Sequence, residues 1–153
     1  MIRTRRPGDL AGCVAALRAV HERDGYPLAW PADPEEWLTP DGLIRAWVAE
    51  DDGVIIGHAA LRGADPELPE ADACLARLFV APHARGRGDA ARLLAAVERE
   101  GDGLGLRLGL DVADSGRGAI AFYERAGWRR IASGRAGWLD ADGRPALVHH
   151  YLR

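Results

Sequence analysis

The sequence predicts one α/β (α+β) domain, a mixed and mostly antiparallel central sheet flanked by about four helices. Three observations carry that expectation. Residues 75–94, LARLFVAPHARGRGDAARLL, read as strand, glycine turn and helix: an apolar run rich in strand-favouring side chains is cut by Pro82, and apolar residues then recur at helical spacing. Residues 46–62 read as two strands joined by the turn Asp51-Asp52-Gly53, a hairpin signal. The chain closes on two more strands joined by a short turn, where a doubly wound sheet would add another strand–helix–strand unit. A chain of 153 residues fits a single domain, 1–153, with room for a proper core.

Taken in order, residues 2–5 alternate as an edge strand before Pro7-Gly8. Asp9 is placed to cap a helix reaching about Glu22, with Leu10, Cys13, Val14, Leu17 and Val20 on one stripe. His21 near its C-terminus reads as solvated or facing the helix dipole, with catalysis as the second reading. Tyr26, Trp30 and Trp37 stand among prolines; core plugs and one wall of a pocket are both open readings. Asp33-Pro34 suits a helix start, cap then first turn. Gly57 marks a bulge or a close approach in the second hairpin strand, where His58 is expected at the sheet surface. Residues 63–72, GADPELPEAD, read as a polar loop whose Asp65, Glu67, Glu70 and Asp72 would attract a cationic substrate.

After the turn, Ala90, Ala91, Leu93, Leu94 and Val97 form the apolar stripe of a helix that Gly101 and Gly103 are expected to stop. A strand over 106–112, a short helix over 119–126 closed by Gly127, and strands over 128–138 and 146–152 complete the chain. His149 and His150 fall on opposite faces of the last strand, so they are not expected to share a metal ion.

Chemistry concentrates at Arg85-Gly86-Arg87-Gly88. A helix start leaves N–H groups unpaired and carries partial positive charge. Two glycines let the backbone come close to a ligand, and two arginines offer forked donors. The physical reading is a phosphate cradle; the plain alternative is a connection that needs glycine for geometry alone. Composition narrows the chemistry. The chain has no Lys, Asn or Gln, which excludes a phosphate lysine of the Walker type, a Schiff-base lysine and a Cys-His-Asn triad. A net charge of −3 gives no basic footprint for nucleic acid. No apolar run approaches a membrane span and no signal segment is visible, so cytoplasm is the expected location. Cys13 and Cys74 have no metal-type spacing and read as small buried residues.

VAPHARGRGDAARLL, followed about 30 residues later by AIAFYERAGW, resembles the GNAT superfamily of acyl-CoA-dependent N-acetyltransferases. The likeness is specific across 75–128 and extends over nearly the whole chain in element order. The family's R/Q-x-x-G-x-G/A signature matches Arg85, Gly88 and Ala90, and its alanine–tyrosine–glycine–aromatic spacing matches Ala119, Tyr123, Gly127 and Trp128. The resemblance implies a sheet that splays into a V-shaped cleft after Val80. It implies acetyl-CoA as acyl donor, its pantetheine arm beside Leu78, Phe79 and Val80 and its pyrophosphate on Arg85, Gly86, Arg87, Gly88, Asp89 and Ala90. Further contacts would come from Ser115 and Ala119. Tyr123 would be catalytic, protonating the leaving thiolate. Transfer would run directly to a primary amine, of a small molecule in the expected case, with a protein N-terminus or lysine as the alternative. No metal, nucleic acid or membrane enters. Homodimers are common in the family, and the C-terminal strand pair offers an edge for one.

Three departures from the family pattern matter. Cys74 stands where many members carry a glutamate base, which leaves His58, Asp72, Asp111 or water to take the amine's proton. Gly116 replaces a frequent asparagine, and Asp89 an aliphatic residue. Two rivals follow. A dinucleotide-binding oxidoreductase is suggested by Gly86-x-Gly88-x-x-Ala91 with Asp111 as the ribose acid, against which four residues separate Val80 from Arg85. A non-catalytic acyl-CoA-binding or interaction domain on the same fold is the other.

Overall fold

The computed structural model describes all 153 residues. Seven strands form one sheet in the order β1-β2-β3-β4-β5-β7-β6. They are β1 (Ile2–Thr4), β2 (Leu43–Asp51), β3 (Val54–Asp65), β4 (Leu68–Val80), β5 (Leu108–Ala113), β6 (Arg129–Leu139) and β7 (Pro145–Leu152). The helices are α1 (Leu10–Asp24), α2 (Pro34–Trp37), α3 (Asp89–Leu104) and α4 (Arg117–Arg125), with 3-10 turns at Pro7–Asp9 and Pro82–Ala84. Every neighbouring pair is antiparallel except β4–β5. The predicted hairpin turn is present, with Asp52 and Gly53 both left-handed at φ 50° and 79°, as a tight turn between right-twisted strands requires.

Alternation along the strands sends side chains to two main cores, with a small third cluster of Leu68, Ala71 and Cys74. Trp47 and Ala49 of β2 join Leu93, Leu94 and Val97 of α3, Leu108 and Leu110 of β5, and Tyr123 of α4. Val48, between them, joins Cys13, Leu17 and Val20 of α1, Leu38 and Phe79 on the other face. Helices α3 and α4 therefore cover one face, α1 and α2 the opposite one. Each fully buried leucine or valine contributes roughly 1.5–3 kcal/mol by leaving water.

The two parallel strands are joined at only two rungs, Ala73–Leu108 and Cys74–Gly109. Beyond Cys74, β4 runs on to Val80 with β3 as its sole neighbour, while β5 turns to β7. The sheet thus splays between residues 75–80 and 110–113. A bulge lies in the splayed part of β4. His58 pairs with Phe79 and Ala60 with Ala76, so Arg77 and Leu78 together face one residue of β3, and Arg77 takes φ 57°. A non-glycine residue in the left-handed region is strained and concentrates at functional sites.

Several sequence expectations shift. The acidic segment 63–72 is not a loop. β3 runs to Asp65 and β4 starts at Leu68, with Leu68 and Ala71 buried, so only the turn at Pro66-Glu67 separates them. Helix α3 passes through Gly101 and Gly103 and ends at left-handed Gly105. Gly101 serves packing instead, since a Cβ there would stand 2.7 Å from Leu108 Cδ1. Ala91 is exposed, and the buried stripe takes Ala96 in its place. Asp9 does not cap α1; its carboxylate accepts from the Arg6 N–H at 2.6 Å and pairs with Arg3 at 2.8 Å. Asp33 does cap α2, accepting from the Glu36 N–H at 3.1 Å.

Candidate active site

The head of α3 stands beside the splay. Gly86 and Gly88 hold φ of 82° and 81°, conformations that cost an L-residue about 1–2 kcal/mol. Across 86–91 no backbone N–H is hydrogen-bonded within the chain, so a run of donors lies at a helix N-terminus, an arrangement suited to an anion. The arginine side chains are engaged elsewhere. Arg85 donates to Asp24 at 2.5 Å and to the Val80 carbonyl at 3.3 Å, and Arg87 to Asp51 at 2.8 Å. Asp89 is buried, and Arg92 caps its carboxylate at 2.9 Å while also reaching the Arg87 carbonyl at 2.7 Å. That pairing offsets the repulsion Asp89 would exert on a phosphate.

Tyr123, on α4, is only 8% exposed and packs against Phe122 and Trp128 with ring centroids 5.2 and 6.2 Å away. No group in the chain hydrogen-bonds its hydroxyl. Burial pushes its ionisation well above the ordinary tyrosine range, and the neighbouring Tyr26 hydroxyl adds to the effect. Tyr26 belongs to the connection between α1 and α2. Ser115 and Ala119 are exposed at the start of α4. Beside Tyr123, the indole N–H of Trp128 is fully buried and also without a partner.

On the α1–α2 face, Asp111 of β5 and His150 of β7 stand opposite each other, Oδ1 to Nδ1 at 2.5 Å. A carboxylate only accepts, which puts the ring proton on Nδ1 and leaves Nε2 as the basic atom. The pair lines a cleft of about 190 Å³ with Glu67 and Trp138. Arg62 neutralises Asp65 at 2.7 Å. Cys74 lies close behind, where burial pushes its thiol up to about 11 and the charges of Arg62, Asp111 and Asp65 act on it; it is a neutral thiol at physiological pH.

The model of the acetyltransferase (GNAT) family matches residues 8–128. The chain belongs to the GNAT acetyltransferase family. An uncharacterized N-acetyltransferase in the hisH-hisA intergenic region of Azospirillum brasilense is similar, 35% identical over 164 aligned residues that cover 95% of this chain and 94% of that one. The mycothiol acetyltransferase of Kineococcus radiotolerans is 34% identical over 125 residues; the match takes in 81% of this chain and 40% of that enzyme, so this chain spans about two-fifths of its length. NAA60 of Arabidopsis thaliana, solved in complex with acetyl-CoA, shares the fold with a TM-score of 0.76 at 20% identity, covering 100% of this chain and 97% of that one. The splayed, mostly antiparallel sheet predicted from the sequence is therefore the GNAT fold, and the doubly wound alternative is overturned. No helix is long and apolar enough to cross a membrane, and no three His, Cys, Asp or Glu side chains gather as a metal group.

Two of the residues weighed as the GNAT base are placed away from such a role. His58 is fully buried, not at the surface. Its Nδ1–H donates to the Arg77 carbonyl at 2.9 Å, Arg5 donates to its Nε2 at 3.0 Å, and burial lowers it to about 4. It holds the bulge. Asp72 accepts from the Arg107 N–H at 2.8 Å, on the joined side of the two rungs. Asp111 remains, and His150 comes with it. The aromatic segment divides its roles. Trp30 and Trp37 pack on the α1 core, His21 donates to the Pro27 carbonyl at 2.6 Å beside Trp30, and Tyr26 stays exposed. A chain that no spacing rule suggests links Ser133, His149 and Asp114. Asp114 accepts from Nε2 at 2.7 Å, and Ser133 Oγ lies 2.6 Å from Nδ1. It ties β6 and β7 to the turn that opens α4. His149 and His150 thus work on opposite faces, as alternation requires.

Proposed function

We propose that this GNAT domain moves the acetyl group of acetyl-CoA directly to a primary amine. The observation that carries the reading is the two-rung junction of β4 and β5. It leaves Leu78, Phe79 and Val80 with a vacant flank on which an extended pantetheine chain can pair as a strand would. The N–H groups of Arg87, Gly88, Asp89 and Ala90, with those of Gly86 and Ala91, receive the pyrophosphate, and Arg85 steadies the turn through Val80. Ser115 and Ala119 flank the arm at the start of α4. An acceptor amine with pKa near ~10 arrives as a cation and is drawn by Glu67 and Asp111. His150 Nε2 takes its proton, with Asp111 holding the ring and stabilising the imidazolium. The free amine attacks the thioester carbonyl, the C–S bond breaks, and the thiolate leaves with the proton of Tyr123, whose raised ionisation keeps it a proton donor at neutral pH; the second proton that the acylated nitrogen sheds restores the phenol. Holding both reactants in one cleft supplies much of the acceleration.

Calorimetric and thermal-shift titration with acetyl-CoA, CoA and NAD(H) tests the reading, because a ligand of the native state stabilises it in proportion to the logarithm of its concentration over Kd. Stabilisation by acetyl-CoA and CoA alone is expected, followed by amine-dependent thiol release. Binding without thiol release across a broad amine panel would leave a non-catalytic acyl-CoA-binding domain.

A further inference from the structure

The bulge of β4 holds a cation with no carboxylate to balance it. The Arg77 guanidinium lies 3.8 Å over the Trp37 ring, and its Nε donates to the Trp37 carbonyl at 3.0 Å. Both terminal nitrogens are without a partner in the chain. The residue is half-buried, and no carboxylate pairs with it, in contrast to Arg3, Arg45, Arg62, Arg85, Arg87, Arg92 and Arg153. A partly buried charge without a counter-ion is costly, and a forked guanidinium presents its two free corners to a planar oxyanion. The surroundings point the same way. Burial lowers Arg77 from the ordinary arginine range. The Tyr26 ring stands edge-on to Trp37 with centroids 6.0 Å apart, and its hydroxyl also lacks a partner. His58 and strain-bearing φ fix the bulge that aims this group. Arg77 directly precedes Leu78, on the α1–α2 face that also carries Asp111, His150 and Glu67.

We infer that Arg77, with the Tyr26 hydroxyl, binds a carboxylate of the acceptor, so that the substrate class is a small amine that also bears a carboxylate. Amino acids and peptides beginning with an acidic residue share that chemistry: the ammonium end meets Asp111 and Glu67, the carboxylate end meets Arg77. The inference rests on the acetyl-transfer reading and narrows its acceptor.

The experiment compares, on the unaltered protein with saturating acetyl-CoA, the free amino acids, their carboxamides, and peptide amides beginning with aspartate or glutamate. A free amino acid is expected to exceed its carboxamide in kcat/KM by about 100-fold, since the amide leaves a charged donor unpaired. Preference for the acidic peptides instead would identify that source of the same carboxylate. In Arg77→Met, which keeps the packing on Trp37, the preference should vanish through acceptor KM while the acetyl-CoA Kd stays unchanged. Equal use of acids and carboxamides would overturn the inference with acetyl transfer intact, and failure to bind acetyl-CoA would overturn both.

Discussion

The two sides of the splay are built from different materials. At the head of α3 the main chain supplies the donors, and the side chains that look like ligands, Arg85 and Arg87, are spent on Asp24 and Asp51. On the α1–α2 face side chains carry the polarity: Arg77 and Tyr26 have groups without a partner, and Asp111 and His150 pair with each other, the four held by β4, the α1–α2 connection, β5 and β7. A main-chain site depends on conformation, because any residue with the same φ offers the same N–H. A side-chain site depends on identity. Changes of backbone freedom should therefore injure the donor side and changes of charge the acceptor side.

The sharpest break should come where the two sides meet. Tyr123→Phe removes the proposed proton donor from a site that otherwise keeps its shape, so kcat should fall by about 10²–10⁴-fold with the acetyl-CoA Kd unchanged by calorimetry. Next is His58, whose tuning belongs to the acceptor side. Its folded value of about 4 lies below the 6.5 of the free side chain, so the unfolded chain binds the extra proton between those pH values. Stability is then complete above pH 6.5 and lost as pH falls toward 4, by roughly 3 kcal/mol. Denaturant melts across that window should show the slope, and His58→Leu should flatten it. Arg5 and Arg77, the cations facing the ring, add to the penalty of charging it.

A direct test of material comes third. Gly88→Ala should weaken acetyl-CoA by about tenfold or more and cost roughly 1 kcal/mol of stability, whereas Arg85→Ala and Arg87→Ala should each change affinity by only about threefold. The reverse ranking in a titration series would break the comparison. The smallest effect should be that of Asp89→Val. It frees the Arg92 guanidinium beside the cradle, so acetyl-CoA binding should stay intact or tighten, and a large loss would show that Asp89 orders the turn.

The same contrast explains what could be read from the residues alone. The donor side is local: strand, Pro82, two glycines and helix follow one another, and short-range rules find each. The proposed acceptor side draws on residues 26, 77, 111 and 150, which no local rule would group. Asp111 was visible as a carboxylate ending a strand, but His150 gained meaning only from the β5–β7 register. Arg77 did leave a trace, a charge set between Leu75-Ala76 and Leu78-Phe79-Val80, where an apolar strand should carry none. The segment 63–72 misled because its glutamates face solvent, while Leu68 and Ala71, buried at a spacing of three that no strand pattern suggests, hold it in the sheet. Gly101 misled because a glycine near a helix end is usually a stop, and here it admits Leu108.

The two-rung seam between β4 and β5 also bears on how the two halves of the sheet are held. Strands β1 to β4 form one meander closed by neighbours in sequence, and β5, β7 and β6 form a second leaf, with α3 as the strap between them. So narrow a backbone weld, Ala73-Cys74 against Leu108-Gly109, leaves the shared core under α3 to hold the two leaves together. An extended ligand lying along the opening would supply the missing rungs, so that the substrate itself becomes the binding that makes the two leaves one body.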